Sequence, residues 1–79
     1  MTAVLAYVTA PSVEEAERIG TALVEERLAA CANIFPGMRS VYRWKGGIEK
    51  ADETVLVAKT RQPLAQALIA RVKELHSYD

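Results

Sequence analysis

A single cysteine, Cys31, serves the whole 79-residue chain, so no disulfide can close within it and no Cys-x-x-Cys chelate of the zinc or copper-chaperone type exists. Excess charge is missing too: ten basic and ten acidic side chains cancel. A neutral chain without a long block of like charge has no electrostatic footprint for a phosphate backbone or an anionic bilayer. Neither nucleic acid nor membrane is therefore expected as a partner. The N-terminal apolar run, Ala3-Val4-Leu5-Ala6-Tyr7-Val8, falls far below the about 20 residues of a membrane span, and no basic segment precedes it as in a signal peptide. A cytoplasmic location is the expectation, and a lone thiol agrees with a reducing compartment. The signatures of catalysis are absent as well. With no Gly-x-Ser-x-Gly elbow, no phosphate loop and no base beside Cys31, no catalytic residue and no required cofactor is assigned.

A chain this short holds one domain and one core, with no linker, repeat or low-complexity segment. Apolar burial and chain entropy nearly cancel in scaffolds of this size, which commonly add disulfides, metal or oligomerisation. Disulfides being excluded, metal or partner chains remain.

What is present reads as strand, helix, strand, strand, helix. Residues 3–9 form an apolar strand that Pro11 and Ser12 end. Ser12 and Glu15 have the spacing of a capping box, in which each side chain satisfies the other's backbone N–H, and Glu14, Glu15 and Glu17 suit the positive end of a helix. Ala16, Ile19, Gly20, Leu23, Val24 and Leu28 recur at three and four residues and predict one buried stripe. The run from Ala29 to Phe35 loses that spacing and predicts a strand that bends at Pro36-Gly37. Proline has no N–H for a ladder, which places Pro36 at an edge or a bulge. Thr54 to Lys59 predicts a central strand covered on both faces. Pro63 suits the first turn of a last helix, whose buried stripe is Leu64, Leu68, Val72 and Leu75. A right-handed crossover is expected between the first two strands.

Between Ser40 and Thr60 two strand-like arms meet at Gly46-Gly47, where two glycines accept the positive φ values of a type I′ hairpin turn. Together the arms exceed the five or six residues typical of a strand. Such a ribbon overhangs its own sheet and leaves backbone groups and the Tyr42 and Trp44 rings uncovered, so it calls for another chain.

Several blocks resemble one family. Thr9-Ala10-Pro11, Glu26 to Ile34 with its Leu28-Ala29-Ala30-Cys31 centre, Ser40 to Glu49, Lys59-Thr60 and His76-Ser77-Tyr78 together look like CutA, the divalent-cation tolerance proteins. The resemblance implies an α+β, ferredoxin-like split-βαβ sandwich in which βαββα is present and the final strand is missing. It implies a single domain over residues 1–79, incomplete at its C-terminus, in a tight homotrimer of PII-like architecture. It also implies a cytoplasmic, non-enzymatic protein that serves tolerance of copper and other divalent ions. The PII likeness leaves a second reading open, a trimeric sensor holding a small effector between subunits.

The candidate residues follow from both lines. Cys31 is either a soft metal ligand or a small buried hydrophobe. His76, the only histidine, either meets the negative end of the last helix or binds metal. The copper site proposed for some members of the family uses a cysteine before Thr-Ala-Pro and two adjacent histidines, and here those positions are Val8, Leu75 and His76. Tyr42 and Trp44, two apart and so on one strand face, either anchor packing across subunits or line an intersubunit cleft with Asn33 and Lys59. Lys59 supplies charge there for an anionic small molecule, and Asn33 supplies a donor and an acceptor. Glu49, Asp52 and Glu53 are read as a solvated hairpin arm.

Overall fold

The computed structural model describes residues 2–77. Its elements are β1 (Ala3–Ala10), α1 (Val13–Glu25), β2 (Cys31–Trp44), β3 (Gly47–Arg61), a short 3-10 turn (Gln62–Leu64) and α2 (Ala65–Leu75). The sheet has the order β1-β3-β2, with both outer strands antiparallel to β3. Because β3 is inserted between them, β1 and β2 run parallel without touching, which is the split-βαβ arrangement.

Alternation assigns the two faces. Leu56 and Ala58 of β3 and Ala10 of β1 join Ala16, Ile19 and Leu23 of α1 and Leu68 of α2 in the buried core. Gly20 lets α1 lie close on the sheet, since a Cβ there would stand 3.1 Å from the Ala32 Cβ. Val24, expected in the stripe, is instead exposed, and the helix ends at Glu25 before Leu28 can join it. Leu28 still packs against the core, from the turn that follows.

That turn is a Schellman motif. Leu28 N–H donates to the Leu23 carbonyl at 2.9 Å and Arg27 N–H to the Val24 carbonyl at 3.1 Å, which leaves Arg27 at the left-handed position, φ 62°, where glycine is usual. At the other end Ser12 Oγ accepts from Glu15 N–H at 3.1 Å. The second half of the expected capping box is not made. The Glu15 carboxylate turns to the end of α2, where Ser77 offers two donors to one oxygen.

β2 and β3 run well past β1. Residues of β3 from Thr54 to Arg61 pair with both neighbours or with β1, whereas Gly47 to Glu53 pair only with β2. The register slips between Phe35 and Met38, so Pro36 and Gly37 together oppose Thr54 as a bulge on an edge strand, as the proline required. The hairpin turn is displaced by one residue from the glycine pair. Lys45 (φ 50°) and Gly46 (φ 78°) are its central residues, and Gly47 already pairs with Trp44. A lysine, not a second glycine, therefore takes the first positive φ. The overhang stretches the molecule to 42 × 22 × 20 Å.

Candidate functional site

β3 is central, but helices cover only one of its faces. On the other, three cross-strand rows follow from the register: Leu5, Lys59 and Cys31; Tyr7, Val57 and Asn33; Thr9, Val55 and Phe35. The expected two-sided cover is therefore absent within one chain. Leu5 is 66% exposed, Tyr7 67% and Phe35 54%, a concentration of apolar surface of the kind that marks an interface. The hairpin adds Tyr42 and Trp44 on this side and Val41 and Ile48 on the opposite face of the ribbon, all exposed. At its tip the Lys45 ammonium lies 5.9 Å from the centre of the Trp44 ring.

Asn33, Lys59, Tyr42 and Trp44 all belong to this helix-free side. Tyr42 pairs with Glu49 and Trp44 with Gly47, while Asn33 pairs with Val57, and these odd-numbered partners on β3 share one face. Lys59 and Glu49 are nevertheless about 33 Å apart along the strand. One chain brings Asn33 near Lys59 and keeps the two rings at the far end of the ribbon.

His76 and Cys31 are also apart. Cys31 is half-buried beside Lys59 on the helix-free face. His76 caps α2 on the helix side, where its Nε2 meets the Thr9 carbonyl oxygen and its Nδ1 lies 4.0 Å from Glu15 Oε2. Ser77 N–H and Oγ donate to the same Glu15 oxygen at 3.0 and 2.9 Å. The backbone bond from Ser77 chiefly holds Glu15 below its ordinary pKa; the Ser77 hydroxyl, His76 and Arg18 act in the same direction, and burial opposes them. Val8 and His76 line one groove of about 700 Å³ between β1 and α2, but valine offers no ligand atom. Among the described residues no three His, Cys, Asp or Glu side chains stand close enough to hold an ion. A copper site built within one chain from these positions does not fit. Asp52 is engaged by Arg39 across the hairpin at 3.0 Å.

Residues 4–79 match the model of the CutA1 divalent ion tolerance protein family. The chain belongs to that family. It is 50% identical over 72 residues to the divalent-cation tolerance protein CutA of Archaeoglobus fulgidus, covering 91% of this chain and 70% of that protein. With the Thermus thermophilus protein of the same name it shares 51% over 71 residues, covering 90% and 69% respectively. It spans less than half, 42%, of the longer chloroplastic CutA of Arabidopsis thaliana. The solved Thermus thermophilus Cut A1 superposes with a TM-score of 0.92 at 47% identity, over 98% of this chain and 75% of that one. CutA1 from Oryza sativa gives 0.94 at 43%, over 98% and 71%. The ferredoxin-like fold expected from the sequence is thus established by both sequence and structure.

Sequence reasoning missed one group. Arg27 and Arg61 line a pocket with Lys59 at the end of the sheet. The first is brought there by the left-handed helix cap, which a glycine would have signalled and an arginine does not.

Proposed function

We propose that this CutA1 family chain acts as a subunit of a homotrimer in the response to divalent metal ions, without catalysing a reaction, and that its ligand-facing surface lies between subunits. One observation carries this reading: β3 residues 47–53 pair only with β2, and the ribbon they form leaves Tyr42 and Trp44 exposed. A neighbouring chain that covers the ribbon buries those rings and satisfies its free edges. Sedimentation at micromolar concentration tests it. A trimer mass supports the reading and a persistent monomer overturns it.

Within this reading copper or another divalent cation is bound weakly and through more than one chain. Cys31 offers a thiol on the face that other copies would cover, and His76 offers an imidazole that Thr9 and Glu15 already hold. Calorimetric titration with Cu²⁺, repeated on Cys31→Ala and His76→Ala, measures each share; unchanged affinity in both removes these residues from metal binding. The cytoplasmic placement rests on the lone thiol, while relatives carry the words chloroplastic or periplasmic in their names.

A second reading, a PII-like sensor of an anionic small molecule, is favoured by the separation of Asn33 and Lys59 from Tyr42 and Trp44. The two halves of such a cleft meet only if the ribbon of one chain reaches the sheet of another. Melting temperatures with metabolites set against Cu²⁺ separate the readings, because a ligand of the native state raises the midpoint.

A further inference from the structure

We propose that the Lys59 end of the helix-free face docks on the Glu49 end of the ribbon of a second copy, so that subunits join head to tail through an ion pair. The proposal rests on the reading above in which sister copies cover this face, and it names the residues that meet across the contact.

Strand alternation sorts the charges of this face by sign. On the sheet body the register places Lys59 in a row with Leu5 and Cys31, and Arg61 beside Ala3. Between Arg61 and Val55 these are the only charged strand residues on the face, and both are positive. On the ribbon the same face carries Glu49 and Glu53, both negative, opposite Tyr42 and Met38. The ribbon cations Arg39, Arg43 and Lys50 project from its other face, and Lys45 belongs to the turn. The chain as a whole is neutral, so the separation is made by the fold and not by composition.

Neither end is satisfied within its own chain. Lys59, Arg61 and Glu49 are exposed, and none of them forms an ion pair with a described residue. Roughly 33 Å of β3 separates Lys59 from Glu49. One chain therefore cannot close the pair.

Apolar surface beside each charge decides what meets it. Leu5 stands across from Lys59 and Tyr42 across from Glu49, both exposed. Covering those side chains draws the neighbouring charge out of water, where a lone charge is strongly destabilising and an opposite one offsets much of the cost. A ribbon laid on the sheet end brings Glu49 to Lys59 and Arg61, whereas a sheet end laid on a sheet end sets cation against cation. The charges thus select ribbon on sheet. In a homotrimer each copy gives one ribbon and receives one, and the ring closes with every ribbon and every sheet end used.

Lys59→Glu, Glu49→Lys and the doubly substituted chain are compared with the parent by sedimentation across the micromolar range, with far-ultraviolet circular dichroism as the check on the fold. Both positions are exposed in the single chain, so each variant should fold. Either single reversal should weaken association about tenfold or more, because like charges then meet at the contact. The doubly substituted chain, in which opposite charges meet again with their signs exchanged, should associate more tightly than either single variant, a recovery that separate structural roles do not produce. Parent association in either single variant, or a double variant no tighter than the singles, overturns the ion pair and leaves the covered face standing. A parent that stays monomeric overturns the covered face and this proposal with it.

Discussion

Glu15 and Ser77 stand 62 positions apart in sequence, yet one carboxylate oxygen of Glu15 accepts both the backbone N–H and the hydroxyl of Ser77. The contact fastens the end of α2 to the first turn of α1. Arg18 strengthens it by donating to the Leu75 carbonyl at 2.9 Å, and Arg71 ties the helices again through a two-pronged pair with Glu26.

Acid should loosen this fastening. Glu15 in the folded chain sits below its ordinary value of 4.5, so the unfolded state takes up its proton first as pH falls. Stability from this group is complete above the unfolded value and is lost as pH drops through the lower, folded one. Urea midpoints measured between neutral pH and about pH 3 should fall in the parent, and part of that fall should vanish in Glu15→Gln. At neutral pH Glu15→Gln should lower stability by about 1 kcal/mol, the worth of a hydrogen bond to a charged group less what the amide retains. An identical acid profile in the variant would show that Glu15 is not responsible. Glu26, held low by its hydrogen bond from Arg71, is the second contributor to any fall that remains.

The turn of the hairpin invites the opposite kind of change. Lys45 adopts φ 50° and Gly46 φ 78°, both positive as a type I′ turn requires, and asparagine followed by glycine fits such a pair best. Lys45→Asn should raise stability by about 0.5 kcal/mol, even though it removes the ammonium from the Trp44 ring. Gly46→Ala should lower it by about 1 kcal/mol, because alanine resists that φ. Thermal unfolding checks both, and equal midpoints for the three proteins would contradict the assigned turn.

Much of this architecture was legible in the residues. Apolar alternation, the Ser12 cap and the Pro36 bulge are local signals, and the structure places each where the chemistry of the residue requires it. The turn slipped by one position because Gly46-Gly47 satisfies type I′ in either frame, and cross-strand pairing from Trp44 to Gly47 decides between them. Glu15 was misread for a related reason. Spacing shows which partner is near in sequence, and Ser77 is near only in space. The candidate cleft was readable as a set of residue types, but its halves lie at opposite ends of β3, a separation that only the strand register reveals. The basic pocket at the sheet end was hidden because Arg27 takes a position that sequence rules reserve for glycine.

Gly20 measures how closely α1 sits on the sheet. Alanine is preferred over glycine within a helix by about 1 kcal/mol, so an open site would gain stability from Gly20→Ala. Here the added carbon meets the Ala32 Cβ at 3.1 Å and the Leu56 Cδ1 at 3.4 Å. Ala32 has no rotamer with which to yield, so the helix itself must move, and the packing penalty of about 1–3 kcal/mol outweighs the gain. Gly20→Ala should therefore be destabilising by about 1 kcal/mol, and Gly20→Val by more. A stabilised Gly20→Ala protein would place α1 farther from β2.

The uncovered face and the overhanging ribbon make separable contributions to assembly. Tyr7 and Leu5 project from the sheet body, whereas Trp44 projects near the hairpin tip, so a charge at either place tests a different contact. Both sites are exposed in the single chain, and replacing either residue removes no intrachain core, so the subunit fold should tolerate Trp44→Glu and Tyr7→Glu. If other copies cover both surfaces, each variant buries an unpaired carboxylate on association, a penalty of several kcal/mol that should shift assembly towards monomer at micromolar concentration. Far-ultraviolet circular dichroism should stay close to the parent spectrum while sedimentation reports the lower mass. Dissociation by Trp44→Glu alone would make the ribbon the principal contact; dissociation by Tyr7→Glu alone would assign that part to the sheet face. If both variants keep the parent mass, neither surface joins the subunits, and the exposed rings must have another use.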